Sequence, residues 1–350
     1  FSMAKNTSFS RVLDSGWTGF GFLLAHAPVT ADQVKLELPP RQPDGEPVPV
    51  AIESVSAEGS KLSIKTALFN YRHGWTLTVA GDRYTRAEMD DEQVEGLERY
   101  AAKKEGEVIY RLYTPKAKGP RPLILFLHGG GNGGTDNITQ LATDYGPIQF
   151  SEQYPDMFVM APQAPQPANM VPPNMNGDFA HSDMTGKVGW YREYLAAVCD
   201  IIRGMIKDGL VDRRRVYVTG MSMGGAGTIR AMSVGAGLFA AAAPVCPSMT
   251  PETYSILCGL VNAKLWISTA YVDHTIYRHK YIVDGVMALR DAGNRNVHLT
   301  LYSPEELAAY GIATDPDMSL RERFSANHAT WIPTYHNEHG IMSWLTEQTL

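Results

Sequence analysis

Apolar and polar positions change their rhythm once along this chain. From residue 8 to residue 87, apolar residues alternate with polar ones in short runs, as over 48–55, 61–67 and 75–79. Turn clusters rich in Pro, Gly and Asp or Ser separate the runs at 39–45, 57–60 and 80–82. Period-two runs at such spacing predict half-buried strands, and several in succession predict a small β-sandwich. Residues 88–98 are acidic and mostly polar, the composition of a linker or a surface helix. After residue 100, runs rich in apolar residues recur at 107–113, 122–127, 157–161, 215–219, 239–245, 264–268 and 297–301. Runs with little alternation, such as 122–127, read as strands covered on both faces. Helical periodicity falls between several of them, at 191–207, 225–233 and 281–291. The chain therefore divides into an all-β sandwich with its linker over residues 1–98 and an α/β domain over residues 99–350. The second part reads as a doubly wound, mostly parallel sheet.

Composition narrows the function classes. The 350 residues are 44% hydrophobic, with 17 Tyr, 11 Phe and 6 Trp, enough for two cores and too apolar for wholesale disorder. A net charge of −6 with no Lys/Arg block argues against a nucleic-acid partner. No apolar run reaches the ~18–20 residues of a bilayer span, so no transmembrane helix is expected. Cys199 sits in an apolar helical stretch and reads as a buried small hydrophobe. Cys246 and Cys258 are close enough in sequence to bridge, although spacing does not give geometry. No Cys/His spacing resembles a zinc site.

The chemistry starts at Gly220-Met221-Ser222-Met223-Gly224. This GxSxG run follows an apolar strand and leads into a helical pattern, the strand–turn–helix setting of a nucleophile elbow. Ser222 is the candidate nucleophile. One strand–helix unit earlier, His128 is followed by Gly129, Gly130, Gly131, Asn132, Gly133 and Gly134. Glycines there let the backbone turn N–H groups toward a developing oxyanion, with Gly130 or Gly131 supplying one donor and Met223 the other. No GK[ST] or GxGxxG signature supports a phosphate loop. His128 itself reads as a structural hydrogen-bonder. Trp190 and Tyr191 follow the Pro-rich stretch 162–173. Trp190 is the candidate for substrate contact, with a core anchor as the alternative.

A serine hydroxyl needs a base, and the base needs an orienting carboxylate. With this elbow the order along the chain is Ser, acid, His. The strand at 264–268 runs into Asp273, the candidate acid, whereas Asp284 lies in a helical pattern facing solvent. His274 is set aside because neighbouring loop side chains are expected to point apart. Of ten histidines, position leaves His328, His336 and His339. His328, in a loop ahead of Trp331 and a terminal helix, is preferred.

These segments together resemble the bacterial α/β-hydrolase esterases of the predicted-peptidase and carboxylesterase group, related to feruloyl esterases and polyhydroxybutyrate depolymerases. The resemblance covers residues 105–350 and is carried by 110–115, 126–131, 161–165, 215–225 and 239–246, by Asp273, and by His328 with Trp331 three positions on. It implies an α/β-hydrolase fold, a triad of Ser222, Asp273 and His328, and no metal or organic cofactor. The implied activity is hydrolysis of short-chain or aryl (feruloyl-type) carboxylic esters. The substrate is then a small-molecule or polymer-derived ester. A serine peptidase on small peptides is one alternative. Another is a polyester depolymerase whose β-module binds, using Trp17, Phe20, Phe22, Tyr71 and Trp75 as a face rather than as core. Some relatives carry an N-terminal immunoglobulin-like domain, which fits residues 1–98 and implies a secreted or periplasmic protein rather than a cytoplasmic one. A homo-oligomer through that domain is left open. Two departures stand out. Thr269 and Ala270 replace a common His-Gly pair, and residues 303–327 separate the last strand from His328. A loop that long is expected to cap one side of the cleft.

Overall fold

Among the described residues of the first 94 lie the strands β1 (Lys5–Phe9), β2 (Thr18–Ala25), β3 (Val34–Leu38), β4 (Val48–Val50), β5 (Ile52–Glu58), β6 (Lys61–Asn70), β7 (Thr76–Val79), β8 (Asp82–Thr85) and β9 (Asp91–Val94). They belong to a computed structural model that describes residues 5–9, 18–40, 44–70, 74–89, 91–94, 96–141, 146–165, 189–274 and 276–350. One sheet has the order β5-β6-β2-β1-β9 and the other β4-β3-β7-β8. Alternation turns Phe22, Leu24, Leu62 and Ile64 of the first sheet toward Leu36, Leu77 and Val79 of the second, in one core. Phe22 meets Trp75 edge to face at 4.9 Å, so both belong to that core rather than to a binding face. Phe20 is half-buried, and Trp17 and Tyr71 lie outside the described residues. Residues 88–98 are not simply a linker, because β9 pairs in parallel with β1. Contacts place a unit boundary between Glu98 and Arg99.

The second unit holds an eight-stranded sheet. Its strands are β10 (Tyr100–Glu105), β11 (Val108–Tyr113), β12 (Arg121–Leu127), β13 (Phe158–Pro162), β14 (Val211–Met221), β15 (Ala241–Val245), β16 (Leu265–Ala270) and β17 (Val297–Tyr302). Their order is β10-β11-β13-β12-β14-β15-β16-β17. The β10–β11 and β11–β13 pairs are antiparallel, and every later pair is parallel. In β12 every residue after Arg121 is buried, as a central parallel strand requires.

The helices are α1 (Pro147–Gln153), α2 (Arg192–Lys207), α3 (Met223–Val234), α4 (Pro251–Gly259), α5 (Ile276–Asp291), α6 (Pro304–Ala308), α7 (Leu320–Ala326), α8 (Trp331–Tyr335) and α9 (Ile341–Glu347). Helix α2 buries Tyr194, Leu195, Val198, Cys199, Ile201, Ile202 and Met205, a stripe at helical spacing that joins the main core. All three cysteines are free, so Cys246 and Cys258 do not bridge.

Register decides where chemistry can occur. Leu127 pairs with Gly220, Met221 with Val245, Val245 with Ser268, and Ala270 with Tyr302. The carboxyl ends of β12, β14, β15, β16 and β17 therefore finish along one edge. In open α/β sheets ligands bind at that edge.

Candidate active site

Ser222 follows β14 with φ 58° and ψ −115°, a positive φ that a serine adopts only under strain. The glycines around it are sterically required. A Cβ on Gly220 would lie 2.5 Å from the carbonyl oxygens of Leu127 and Gly224, and one on Gly224 only 1.8 Å from Leu127 O. The backbones of β12 and α3 thus touch beneath the serine. Ser222 N–H donates to Val245 O at 2.9 Å, and Ser248 N–H donates to Ser222 O at 2.9 Å. The hydroxyl lies 3.5 Å from Ser248 Oγ. Ser222 opens α3, so the N–H of Met223 stands at a helix N-terminus, where negative charge is favoured.

The loop after β12 approaches the same point. Residues Gly130–Asn132 form a single 3₁₀ turn. Gln163 Nε2 donates to Asn132 O at 3.1 Å and to Asp136 Oδ1 at 2.8 Å, which pins the far side of this loop. His128 is fully buried, with Nδ1–H donating to Gly129 O at 2.7 Å and Nε2 accepting from Ala164 N at 2.9 Å. Burial pushes its pKa down to about 4, so it stays neutral and structural.

Trp190, expected beside the substrate, lies in the core instead. Its Nε1–H donates to His128 O at 3.0 Å, and its ring sits where a Cβ on Gly227 would collide at 2.7 Å. With 1% exposure it has no surface for a ligand. Residues 166–173 of the Pro-rich stretch fall outside the described residues.

The fold brings together the acid and the histidine foreseen from the sequence. Asp273, buried after β16, accepts from His328 Nδ1–H at 2.8 Å through Oδ2. Its Oδ1 accepts from the backbone N–H of His274 and lies 2.6 Å from His274 Nδ1. The two neighbouring side chains therefore do not point apart: the backbone turn folds the imidazole onto the carboxylate. Burial raises the Asp273 pKa, but His328, His274 and Arg278 outweigh it and hold the carboxyl well below the usual range. Burial is also the largest influence on His328 and lowers its pKa. Asp273 opposes that shift, whereas Arg278 and His274 reinforce it. No hydrogen bond joins His328 to Ser222 among the described residues.

Residues Arg278, Ser248 and His274 complete the setting. Arg278 Nη1 lies 3.0 Å from both ring nitrogens of His328. A point equidistant from both lies over the ring face and in line with neither lone pair. No sequence motif marks these three, since each reaches the site through a turn or a helix face. Asp273, His274 and His328 carry ligand-type atoms within 4.8 Å of one another. The carboxylate is already taken up by both histidines, and the adjacent guanidinium repels a cation.

Downstream, residues 303–327 form two short helices, each opened by a capping box, Ser303 with Glu306 and Ser319 with Glu322. Asn327 Nδ2 donates to Val272 O at 3.0 Å, tying the end of this segment to the loop that carries Asp273. Behind His328, the buried Tyr335 stacks edge-on against Phe150 at 4.9 Å and bonds Thr219 Oγ1 on β14 at 3.1 Å.

A nucleophile-type turn after the fifth strand, with an acid after the seventh and a histidine after the eighth, in the order β10-β11-β13-β12-β14-β15-β16-β17, decides the architecture. The chain has an α/β-hydrolase fold. No protein-family model matches it, and no curated protein sequence does. Among solved structures it resembles a thermostable esterase at 22% identity and a TM-score of 0.67, covering 99% of this chain and all of that one. More distant is the S-formylglutathione hydrolase FrmB of Staphylococcus aureus, at 15% identity and TM-score 0.47, over 71% of this chain and 96% of that one. Esterase 2 of Thermogutta terrifontis follows at 14% identity and 0.44, over 70% and 96%. No helix among the described residues is long and apolar enough to cross a membrane.

Proposed function

We propose that this α/β-hydrolase is a serine carboxylesterase acting on short-chain or aryl esters, feruloyl-type esters included. The observation that supports the reading most is the Asp273–His328 hydrogen bond, standing at the sheet edge where the strained Ser222 emerges.

In this reading Ser222 Oγ attacks the ester carbonyl while His328 Nε2 takes its proton. Asp273 fixes the tautomer with the proton on Nδ1 and stabilises the imidazolium. The N–H groups of Met223 and Gly130 bind the oxyanion, and loss of one such donor costs ~10²–10³ in turnover. His328 then protonates the leaving alcohol, breaking the C–O bond. Water, deprotonated by the same histidine, attacks the acyl-enzyme and releases the acid and Ser222.

Residues 303–327 flank the cleft as a cap in this proposal, and the exposed Leu320 and Phe324 on α7 support that role. The N-terminal sandwich is proposed as an immunoglobulin-like module, supported by two sheets around one core.

Hydrolysis of p-nitrophenyl esters from acetate to decanoate, with methyl ferulate, tests the activity. Turnover by the wild type that disappears in Ser222→Ala supports the reading. A folded wild type inert on every ester contradicts it.

A further inference from the structure

Arg278 has no part in the acyl transfer above, yet its position is costly. Its side chain is 5% exposed and belongs to the first turn of α5. Burial disfavours a cation there, and so does the positive end of the helix. The nearest carboxylate oxygen among the described residues is Asp273 Oδ2 at 3.8 Å, and it already accepts from His328. A guanidinium carries five N–H donors. Described residues engage only Nη1, and that over the face of His328 at 3.0 Å from each nitrogen. Among the described residues, no carboxylate meets this donor fork within hydrogen-bond distance.

We propose that Arg278 receives a carboxylate of the substrate, carried on the alcohol half of the ester. The inference rests on the esterase reading and names its substrate class. His328 Nε2 must lie about 3 Å from the leaving oxygen to protonate it. Arg278 Nη1 is 3.0 Å from the same nitrogen, so the leaving oxygen comes within two hydrogen-bond lengths of the guanidinium. The acyl oxygen turns the other way, toward Met223 and Gly130. A carboxylate a few bonds from the leaving oxygen spans the gap and pairs with the fork, with the N-terminus of α5 adding to the attraction. It also offsets the repulsion between Arg278 and the imidazolium formed at His328 during the reaction.

The matched esters 3-acetoxybenzoate and 3-acetoxybenzamide test this, each rate being divided by its own uncatalysed hydrolysis. The readout is the ratio of the two kcat/KM values, in which any loss common to both cancels. The wild type favours the carboxylate at least tenfold, Arg278→Gln lowers that ratio at least tenfold, and Arg278→Lys falls between. A second measurement needs no variant: 3-hydroxybenzoate inhibits wild-type cleavage of a neutral ester more strongly than 3-hydroxybenzamide. A wild-type ratio near one with equal inhibition by the two phenols overturns the proposal. So does a ratio unchanged in Arg278→Gln, which makes the arginine a positioning residue for His328. If the wild type cleaves neither ester nor p-nitrophenyl acetate, the esterase reading itself fails and this inference falls with it.

Discussion

Asp273 and His328 are joined by a 2.8 Å hydrogen bond although 55 positions separate them in the chain. The same carboxylate also holds His274 through its other oxygen. Which imidazole serves Ser222 is a question of burial and orientation. His328 packs against Asp273, Arg278 and Trp331 with its side chain 15% exposed, whereas the His274 side chain is 25% exposed. His328→Gln is expected to lower kcat/KM by about 10³ or more, the scale of losing a triad base. His274→Gln costs about tenfold or less, through a looser Asp273. Steady-state kinetics on one p-nitrophenyl ester checks this, and the reverse ranking transfers the base role to His274.

The pH profile follows from the same environment. Burial, Arg278 and His274 lower the His328 pKa despite Asp273. The neutral imidazole is the base, so activity is retained above the lowered value and lost as pH falls through it. The acid limb of kcat/KM is therefore expected below the ordinary histidine value of about 6.5. Arg278→Gln moves the limb upward. A wild-type limb at or above 6.5 contradicts the account.

Trp190 acts through the loop it holds. Trp190→Phe deletes the bond to His128 O and costs about 1 kcal/mol of stability, with a Tm lowered by a few degrees. Turnover falls by a similar factor for every acyl length. A changed acyl-length profile at unchanged Tm would return Trp190 to the substrate pocket.

Two glycines separate close packing from chain entropy. Gly224→Ala forces a Cβ onto Leu127 O and is expected to cost about 3 kcal/mol or more in urea unfolding. Gly204, inside α2 with open space around it, gains about 1 kcal/mol on replacement by alanine. Equal effects at the two positions contradict the tight elbow.

Much of the second unit is legible from residue pattern, because strands buried on both faces announce themselves as apolar runs. Strand β10 escapes that rule: of its six residues only Tyr100 is buried, so neither an apolar run nor alternation marks it. The segment 303–327 reads as a loop in the sequence, and its two short helices α6 and α7 start at Ser-x-x-Glu capping boxes that a loop reading passes over. The strand–turn–helix setting of Ser222, and the place of Asp273 and His328 after the late strands, are readable from pattern and chain order. His274 is misjudged because one backbone turn reverses the expected divergence of neighbouring side chains. Trp190 is ambiguous in sequence, since an aromatic at the start of a helix serves a core and a cleft equally well. Arg278 is invisible there, as nothing local to it records a partner 50 positions away.

The central claim is that Ser222 is an activated nucleophile. Treatment with a fluorophosphonate, followed by peptide mass spectrometry, tests it directly, because the serine oxygen bonds to phosphorus only as fluoride leaves. The account predicts a single adduct on Ser222, absent in Ser222→Ala and formed far more slowly in His328→Gln. A folded protein that takes up no label, or takes it up elsewhere with Ser222 unmodified, would contradict it.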